Sequence, residues 1–356
     1  MDFRFTEDQL NFQASLRKAL EKECTVAHLR ALWATETGRS PERWAQLAEL
    51  GLLGLLVPEA HGGLGMIVVD LVLLLEETGR AALPEPVMET AAVGASLLSA
   101  TKLAEKWLPQ VASGDAILTV GHPLNPFVTD AHVAHLLLLP HGNDLHAVPR
   151  EQVSLQRQAC SDPSRHLFRV DWTPKAATRV AQGAEAERLL DAALNRAALA
   201  CAAQQLGLGQ QMVDMGVRYA TERHQFGKPI GSFQAIKHLL ANVAVRIEFA
   251  RPVVYRAAFS VAHNSPSRAN DVSHAKVAAS EAAVLAAKTV HQVHGAMGYT
   301  WECDLHIWMK RAWALDVTWG TSAWHRARVA AAVIDGTAPA ATFGYNAPIG
   351  SGVAAH

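Results

Sequence analysis

ATERHQFGKPIGSFQAIKHLLANVAVRIEFARPVVYRAA, residues 220–258, sets the architecture of the chain. An Ala- and Leu-rich run leads into it from about residue 183, with no strong breaker before Phe226-Gly227-Lys228-Pro229. Helical periodicity then resumes and holds to about residue 336. Long helices joined by short loops are the reading, so 181–340 is expected to form a C-terminal four-helix bundle.

Upstream the texture changes. Between 113 and 180, Pro, His and Asn are frequent, and short apolar runs (AILTV, HVAHLLLLP, HLFRVDW) alternate with turn signals such as HGND at 141–144. Runs of that length, punctuated in that way, predict a small middle β-domain. Residues 1–112 return to helix. Thr6 and Gln9 have capping-box spacing ahead of LNFQASLRKALEKE, where Leu10, Ala14 and Leu20 can share a face. Ser40-Pro41 is an N-cap followed by Pro at N1, and Gly51 suits the C′ position of that helix. GLLGLLVPEAHGGLGM, 51–66, is a turn-rich connector, and VVDLVLLLEETGR and ETAAVGASLLSATKLAEKWL restart the helical period. The fold class is α+β, ordered helices, strands, helices, with 341–356 expected as a flexible tail.

Composition narrows the function classes. The chain has 356 residues, half of them apolar and 18% charged, with only 24 Gly and 16 Pro, which excludes disordered and fibrous classes. Net charge is −1, so nothing draws it to nucleic acid or anionic lipid. Cys24, Cys160, Cys201 and Cys303 are far apart and form no CxxC, so neither a disulfide framework nor a zinc knuckle is expected. MDFRFTEDQL lacks the features of a signal or transit peptide, and the longest apolar runs, such as Leu136 to Pro140, are far too short for a membrane span. A cytoplasmic protein is expected.

Several chemistries lack their motifs. Gly207-Leu208-Gly209 has no third Gly and no preceding strand, so it reads as close helix packing rather than a dinucleotide loop. His291/His294 and His132/His135 have i, i+3 spacing without a completing carboxylate or Cys, and read as ordinary histidines rather than metal ligands. GxSxG and GxxxxGK[ST] are absent from the sequence.

Four motifs stand out together. Arg223-x-x-Phe226-Gly227-x-Pro229-Ile230 with Phe233-Gln234, and Gln292-x-x-Gly295-x-x-Gly298-Tyr299-Thr300, lie in the second helical region. Leu50-Gly51-Leu52-x-Gly54-x-x-Val57-Pro58-Glu59 with Gly62-Gly63-Leu64-Gly65, and FTEDQLNFQ, lie in the first. In these residues, and in the order of its regions, the chain resembles the acyl-CoA dehydrogenase family nearly end to end. The resemblance implies FAD as cofactor, an acyl-CoA thioester as substrate, and a dimer or dimer of dimers in which one FAD is held by two chains.

The chemistry of the residues agrees. A pyrophosphate needs a fixed cation with several donors, and Arg223 at a helix-to-loop junction supplies one. Phe226 offers an apolar plate to a flavin edge. Gly295 and Gly298 allow close backbone approach, and Gln292 can pair with an adenine edge. Trp301, Trp308, Trp313, Trp319 and Trp324 crowd one stretch, which suits either core or a buried interface.

The pattern breaks at the base. Relatives take the substrate α-proton with a Glu just before Gly-Thr in the last loop; here that loop reads Val317-Thr318-Trp319-Gly320-Thr321-Ser322. Trp319 holds the slot, and an indole N–H cannot accept a proton. In other relatives the Glu precedes the Arg by about 26 residues, which lands on Ala197, followed by Ala198; Glu187 and Arg188 lie about ten residues too early. Asp316, about one turn upstream of Trp319, is the candidate for a substitute base. Thr321 survives as a cofactor contact, and Ser322 is expected as the N-cap of the final helix. The β-domain is short and lacks the Thr-Glu-Pro-x-x-Gly-Ser-Asp-like loop and Trp-Ile-Thr/Ser segment by which relatives hold the flavin ring.

The favoured expectation is an FAD-dependent dehydrogenase subunit without its own base, paired with a Glu-bearing paralogue, as in some bacterial enzymes acting on steroid side-chain thioesters. A complete homo-oligomer using Asp316, and a binding or scaffold protein on the same fold, are the alternatives. The acyl group itself cannot be read from these residues.

Overall fold

The computed structural model describes residues 3–336. The expected flexible tail, 341–356, lies outside the described residues, as do the last positions of the expected bundle. Helices α1 (Glu7–Glu23), α2 (Val26–Trp33), α3 (Pro41–Glu49) and α4 (Val68–Arg80) open the chain. The Thr6–Gln9 capping box forms reciprocally at the start of α1. Its buried stripe runs through Leu16 and Leu20, whereas Leu10 is 48% exposed. The polar residues Gln13 and Arg17 reach Glu77 on α4, so polar contacts take part of the face that Leu10 was expected to share. Ser40 caps α3 as expected, and Gly51 follows it with φ 79°.

The next expected helix is broken. Residues Met88–Gly94 form a π-helical turn continuing into α5 (Ala95–Leu98), and α6 (Ala104–Ser113) starts only after a turn at 99–103. In that turn Thr101 Oγ1 accepts from the backbone N–H of Leu103 and satisfies a group that a continuous helix would bond.

Seven short strands follow: β1 (Leu118–Val120), β2 (Val128–Thr129), β3 (Leu136–His141), β4 (Asp144–Pro149), β5 (Ser154–Gln158), β6 (Leu167–Asp171) and β7 (Arg179–Gln182). They make two sheets, ordered β1-β3-β4-β7 and β2-β6-β5. The β3–β4 hairpin turns at Gly142-Asn143, inside HGND, with Gly142 at φ 55°. The β3 strand begins only at Leu136, so the HVAH half of that apolar run lies outside it.

Helix α7 (Gly183–Glu222) then runs 40 residues to a two-residue hairpin, β8 (His224–Gln225) and β9 (Lys228–Pro229). Helices α8 (Gln234–Ala262), α9 (Arg268–His294), α10 (Leu305–Val317) and α11 (Ser322–Ile334) complete the described chain. The fourth position of the bundle is shared: α10 packs on α7 and α9, and α11 on α9. The break between them falls at Trp319 and Gly320, with φ 57° and 92°, values that no helix accommodates.

Helices α4 and α7 touch backbone to backbone. A Cβ added to Gly207 would lie 1.9 Å from the carbonyl of Glu76, and one on Gly79 would lie 2.0 Å from that of Gln204. The Gly-x-Gly pattern is therefore helix packing. Gly207→Ala should cost about 3 kcal/mol in urea unfolding, because backbone cannot give way. Gly209→Ala, whose Cβ would meet the flexible end of Ile247 at 3.2 Å and backbone no nearer than Ala283 Cα at 3.6 Å, should cost much less. Equal midpoints for the two variants would contradict this packing.

Candidate functional site

Two groups of expected site residues sit at opposite ends of α9. At its C-terminal end, Tyr219 of α7 stacks on His294 at 4.2 Å between ring centroids and donates its hydroxyl to the His294 carbonyl. That contact brings the end of α7, carrying Arg223, beside the end of α9, carrying Gln292 and Gly295. Arg223 leaves the helix with φ −77°, ψ 120°, and its backbone carbonyl accepts from Ile230 N–H at 2.8 Å. Its guanidinium makes no ion pair or hydrogen bond with any described residue. The Gln292 side chain is likewise exposed and unpartnered among the described residues.

The FGKP segment is not an irregular loop. Phe226 and Gly227, at φ 52° and 76°, are the two left-handed residues of the hairpin turn, a geometry that matches strand twist. Phe226 is an outlier there, since bulky residues avoid that region, and its ring is 91% exposed. A strained backbone that carries an apolar ring into solvent points to something that receives the ring. Gly295 ends α9 with φ 58°, ψ −137°, a conformation left to glycine, and Met297 and Tyr299 beyond it are 45% and 83% exposed.

The loop with Trp319 lies near the other end of α9, where His325 Nδ1 meets Ser273 Oγ at 3.0 Å. From Ser273 to Gln292 is about 28 Å of helix at 1.5 Å per residue. Thr321 therefore does not join Arg223, Phe226, Gln292 and Gly295. It is also the true N-cap of α11, accepting from Trp324 N–H at 3.1 Å. Ser322, expected in that role, is the first helical residue; its hydroxyl instead donates to Asp316 Oδ1 at 3.0 Å.

Trp319 is 3% exposed and packs on His122 of the β-domain at 5.4 Å between ring centroids. Asn125 Oδ1 accepts its backbone N–H, and His325 Nε2–H donates to its carbonyl at 2.9 Å. Lys276, fully buried on α9, donates to the carbonyls of Leu315 and Asp316 at 2.9 Å each and so closes the C-terminus of α10. Of the clustered tryptophans, Trp308 and Trp319 are core, while Trp301 and Trp313 are 57% and 41% exposed.

Beside Trp319 a lattice of buried charges joins the helical and β regions. Arg39 pairs with Asp130, Arg311 with Asp162, and Arg43 with Glu85, while Arg165 donates to Thr318 and Thr129. Burial, reinforced by Asp130, pushes the Glu89 carboxyl up. The cavity left among them is about 20 Å³, space for one water-sized group. No local pattern marks this lattice in the sequence, because its partners stand 91 and 149 residues apart. Among the described residues there is no cluster of three or more His, Cys, Asp or Glu that could hold a metal.

Family models match two stretches of the chain: "Acyl-CoA dehydrogenase, N-terminal domain" over residues 6–115, and "Acyl-CoA dehydrogenase, C-terminal domain" over 188–334. Acyl-CoA dehydrogenase IpdE2 of Mycobacterium tuberculosis is 33% identical over 310 residues, 86% of this chain and 91% of that protein. The chain belongs to the acyl-CoA dehydrogenase family. Members of the family depend on FAD. Among solved structures, the ChsE4–ChsE5 complex from Mycobacterium tuberculosis superposes with a TM-score of 0.84 at 26% identity, covering 96% of this chain and 100% of that one. The Tcur3481–Tcur3483 steroid ACAD G363A variant gives 0.83 at 26% identity, covering 93% and 99%.

The residues at the first end fit the nucleotide half of FAD: a free guanidinium, a free amide, an exposed aromatic ring and an open glycine turn. At the other end Trp319 is buried against the β-domain, and the charge lattice beside it leaves only about 20 Å³.

Proposed function

We propose that this chain is the base-lacking subunit of an unequal FAD-dependent acyl-CoA dehydrogenase. It lends Arg223, Phe226, Gln292 and Gly295 to a flavin whose ring and catalytic Glu belong to a paralogous partner. The observation that carries this reading is the contrast between the two ends of α9: the nucleotide-binding groups are free and exposed, and the ring-side region is filled. A self-sufficient homo-oligomer needs both ends open.

In such a pair the bound FAD supplies the hydride acceptor for α,β-dehydrogenation of an acyl-CoA thioester. This chain's part is positional. Arg223 neutralises the pyrophosphate from across the interface, Phe226 shields the flavin edge from water, and Gln292 reads the adenine side. The likeness to ChsE4–ChsE5, solved as a complex, and to a steroid ACAD supports a heteromer acting on a lipid or steroid thioester. No described helix is long and apolar enough to cross a membrane. Asp316 as base is disfavoured by its bond to Ser322, and a scaffold has no use for an unpaired Arg223 beside an exposed, strained Phe226.

Co-expression with a Glu-bearing family member from the same genome tests the reading. A stable yellow complex that reduces its flavin with an acyl-CoA is the expected outcome. A chain that binds flavin and reduces it alone contradicts the proposal.

A further inference from the structure

Helix α11 is thinly covered. It buries only His325, and its far end leaves Val333 and Ile334 62% and 80% exposed. Facing it on α8, Phe249 is 74% exposed. Helices α8 and α11 both pack on α9, and between them lies a groove of about 810 Å³ floored by Val277, Ala278 and Leu285 of α9. At its edge Arg326 pairs with Glu281, so the two charges there are spent on each other. An apolar groove of this size, with an aromatic ring and two aliphatic side chains standing in water around it, marks a surface that something covers.

The chain carries a cover beside it. Asp335 N–H closes α11 on the Ala331 carbonyl, and Gly336 follows at φ 68°, the left-handed conformation that turns a chain off a helix axis. Residues 337–356, TAPAATFGYNAPIGSGVAAH, begin there and hold no Asp, Glu, Lys or Arg. Pro339 and Pro348 oppose any continuation of the helix. Phe343 and Tyr345 have the i, i+2 spacing that shares one side of an extended chain. The groove runs about 17 Å along α9, from His274 to Leu285. The seven residues from Gly336 to Phe343 reach about 23 Å, enough for either end of it. We infer that residues 343–349 dock in the groove of their own chain, with Phe343 and Tyr345 as the anchors. So short a tether gives an effective concentration in the millimolar range, which favours this segment over a second copy. The inference stands apart from the heteromer reading and from the flavin-binding end.

Timed chymotrypsin digestion of the full-length chain, read by mass spectrometry for cleavage after Phe343 and Tyr345, tests it against the synthetic peptide 337–356. Cleavage in the chain should be slower by about tenfold or more, because proteolysis follows the undocked population. Phe249→Asp should restore most of the peptide's rate and keep its helical circular dichroism, since that exposed ring is no part of the core. As a second measurement, the full-length double variant Phe343→Ser, Tyr345→Ser should bind the dye anilinonaphthalene sulfonate with several-fold more fluorescence than wild type. Wild type cleaved as fast as the peptide, or Phe249→Asp protected as well as wild type, overturns the proposal. Protection that disappears on dilution does so too, by giving the groove to a second copy. A double variant with no more dye fluorescence than wild type is equally contrary, since it means these two rings cover nothing.

Discussion

A urea titration repeated from pH 7.5 down to 4.5 should show the unfolding midpoint falling steeply below pH 6.5. Burial pushes seven of the described histidines down, three of them furthest. Burial, with Arg39 and Arg157 adding to it, pushes His166 down to about 3. Burial likewise pushes His122 and His325 down to about 4. His166 and His325 are 2% and 0% exposed, and His325 spends its Nε2–H on the Trp319 carbonyl, so a second proton on Nδ1 would meet the Ser273 hydroxyl and the charge of nearby Lys276.

The sign follows from which state takes the proton. A folded pKa below the unfolded value of 6.5 means that the unfolded chain binds protons first as pH falls. Stability is complete above pH 6.5 and is lost between there and about 4. After a discount for water penetration, each histidine contributes on the order of 1–2 kcal/mol by pH 4.5. Three together remove a large share of the roughly 5–15 kcal/mol that holds a protein folded. Glu76 and Glu89, raised by burial, oppose this as they take up protons, and they soften the fall without reversing it. A midpoint that stays level to pH 4.5 would show that these rings are hydrated.

The second large effect concerns flavin. In the complex with a Glu-bearing partner, Arg223→Ala should lower flavin retention by at least tenfold, since a charge-assisted hydrogen bond to phosphate contributes about 1.5–3 kcal/mol. Arg223 is exposed and its guanidinium makes no hydrogen bond or ion pair with a described residue, so the variant should keep its helical circular dichroism and its affinity for the partner. Arg223→Lys should recover only part of the loss, because an ammonium does not reproduce the guanidinium fork. Flavin content equal to wild type in Arg223→Ala would remove this residue from the site.

Much of the fold was legible where structure is specified locally. The Thr6–Gln9 box, the Ser40-Pro41 start and the Gly142-Asn143 turn follow from residues within a few positions of each other. Gly207-Leu208-Gly209 could be assigned to packing because nothing nearby completes a phosphate loop. The errors are also physical. Thr321 and Ser322 are both good caps, and only the left-handed Trp319-Gly320 pair decides that the chain turns into helix one residue earlier. The π-helical turn at 88–94 depends on tertiary context: Thr90 exchanges hydrogen bonds with the backbone of Leu118.

The candidate site divides in the same way. Arg223, Phe226, Gln292 and Gly295 carry motif spacing at or just past the C-terminal ends of α7 and α9 and could be named as candidates. That Thr321 lies about 28 Å of helix away needed the bundle's geometry. The lattice around Arg165 and Arg311 could not be seen at all, because a buried arginine and a surface arginine look alike in sequence, and only its partner tells them apart.

The central claim is that this chain completes a flavin site it cannot form alone. An absorbance spectrum near 450 nm of the FAD-treated, desalted chain, alone and with the Glu-bearing partner, tests it most directly. The account predicts flavin retained only in the pair and bleached there by an acyl-CoA. Flavin retained and bleached by this chain without a partner would contradict it, and would make Asp316→Asn the next variant to assay.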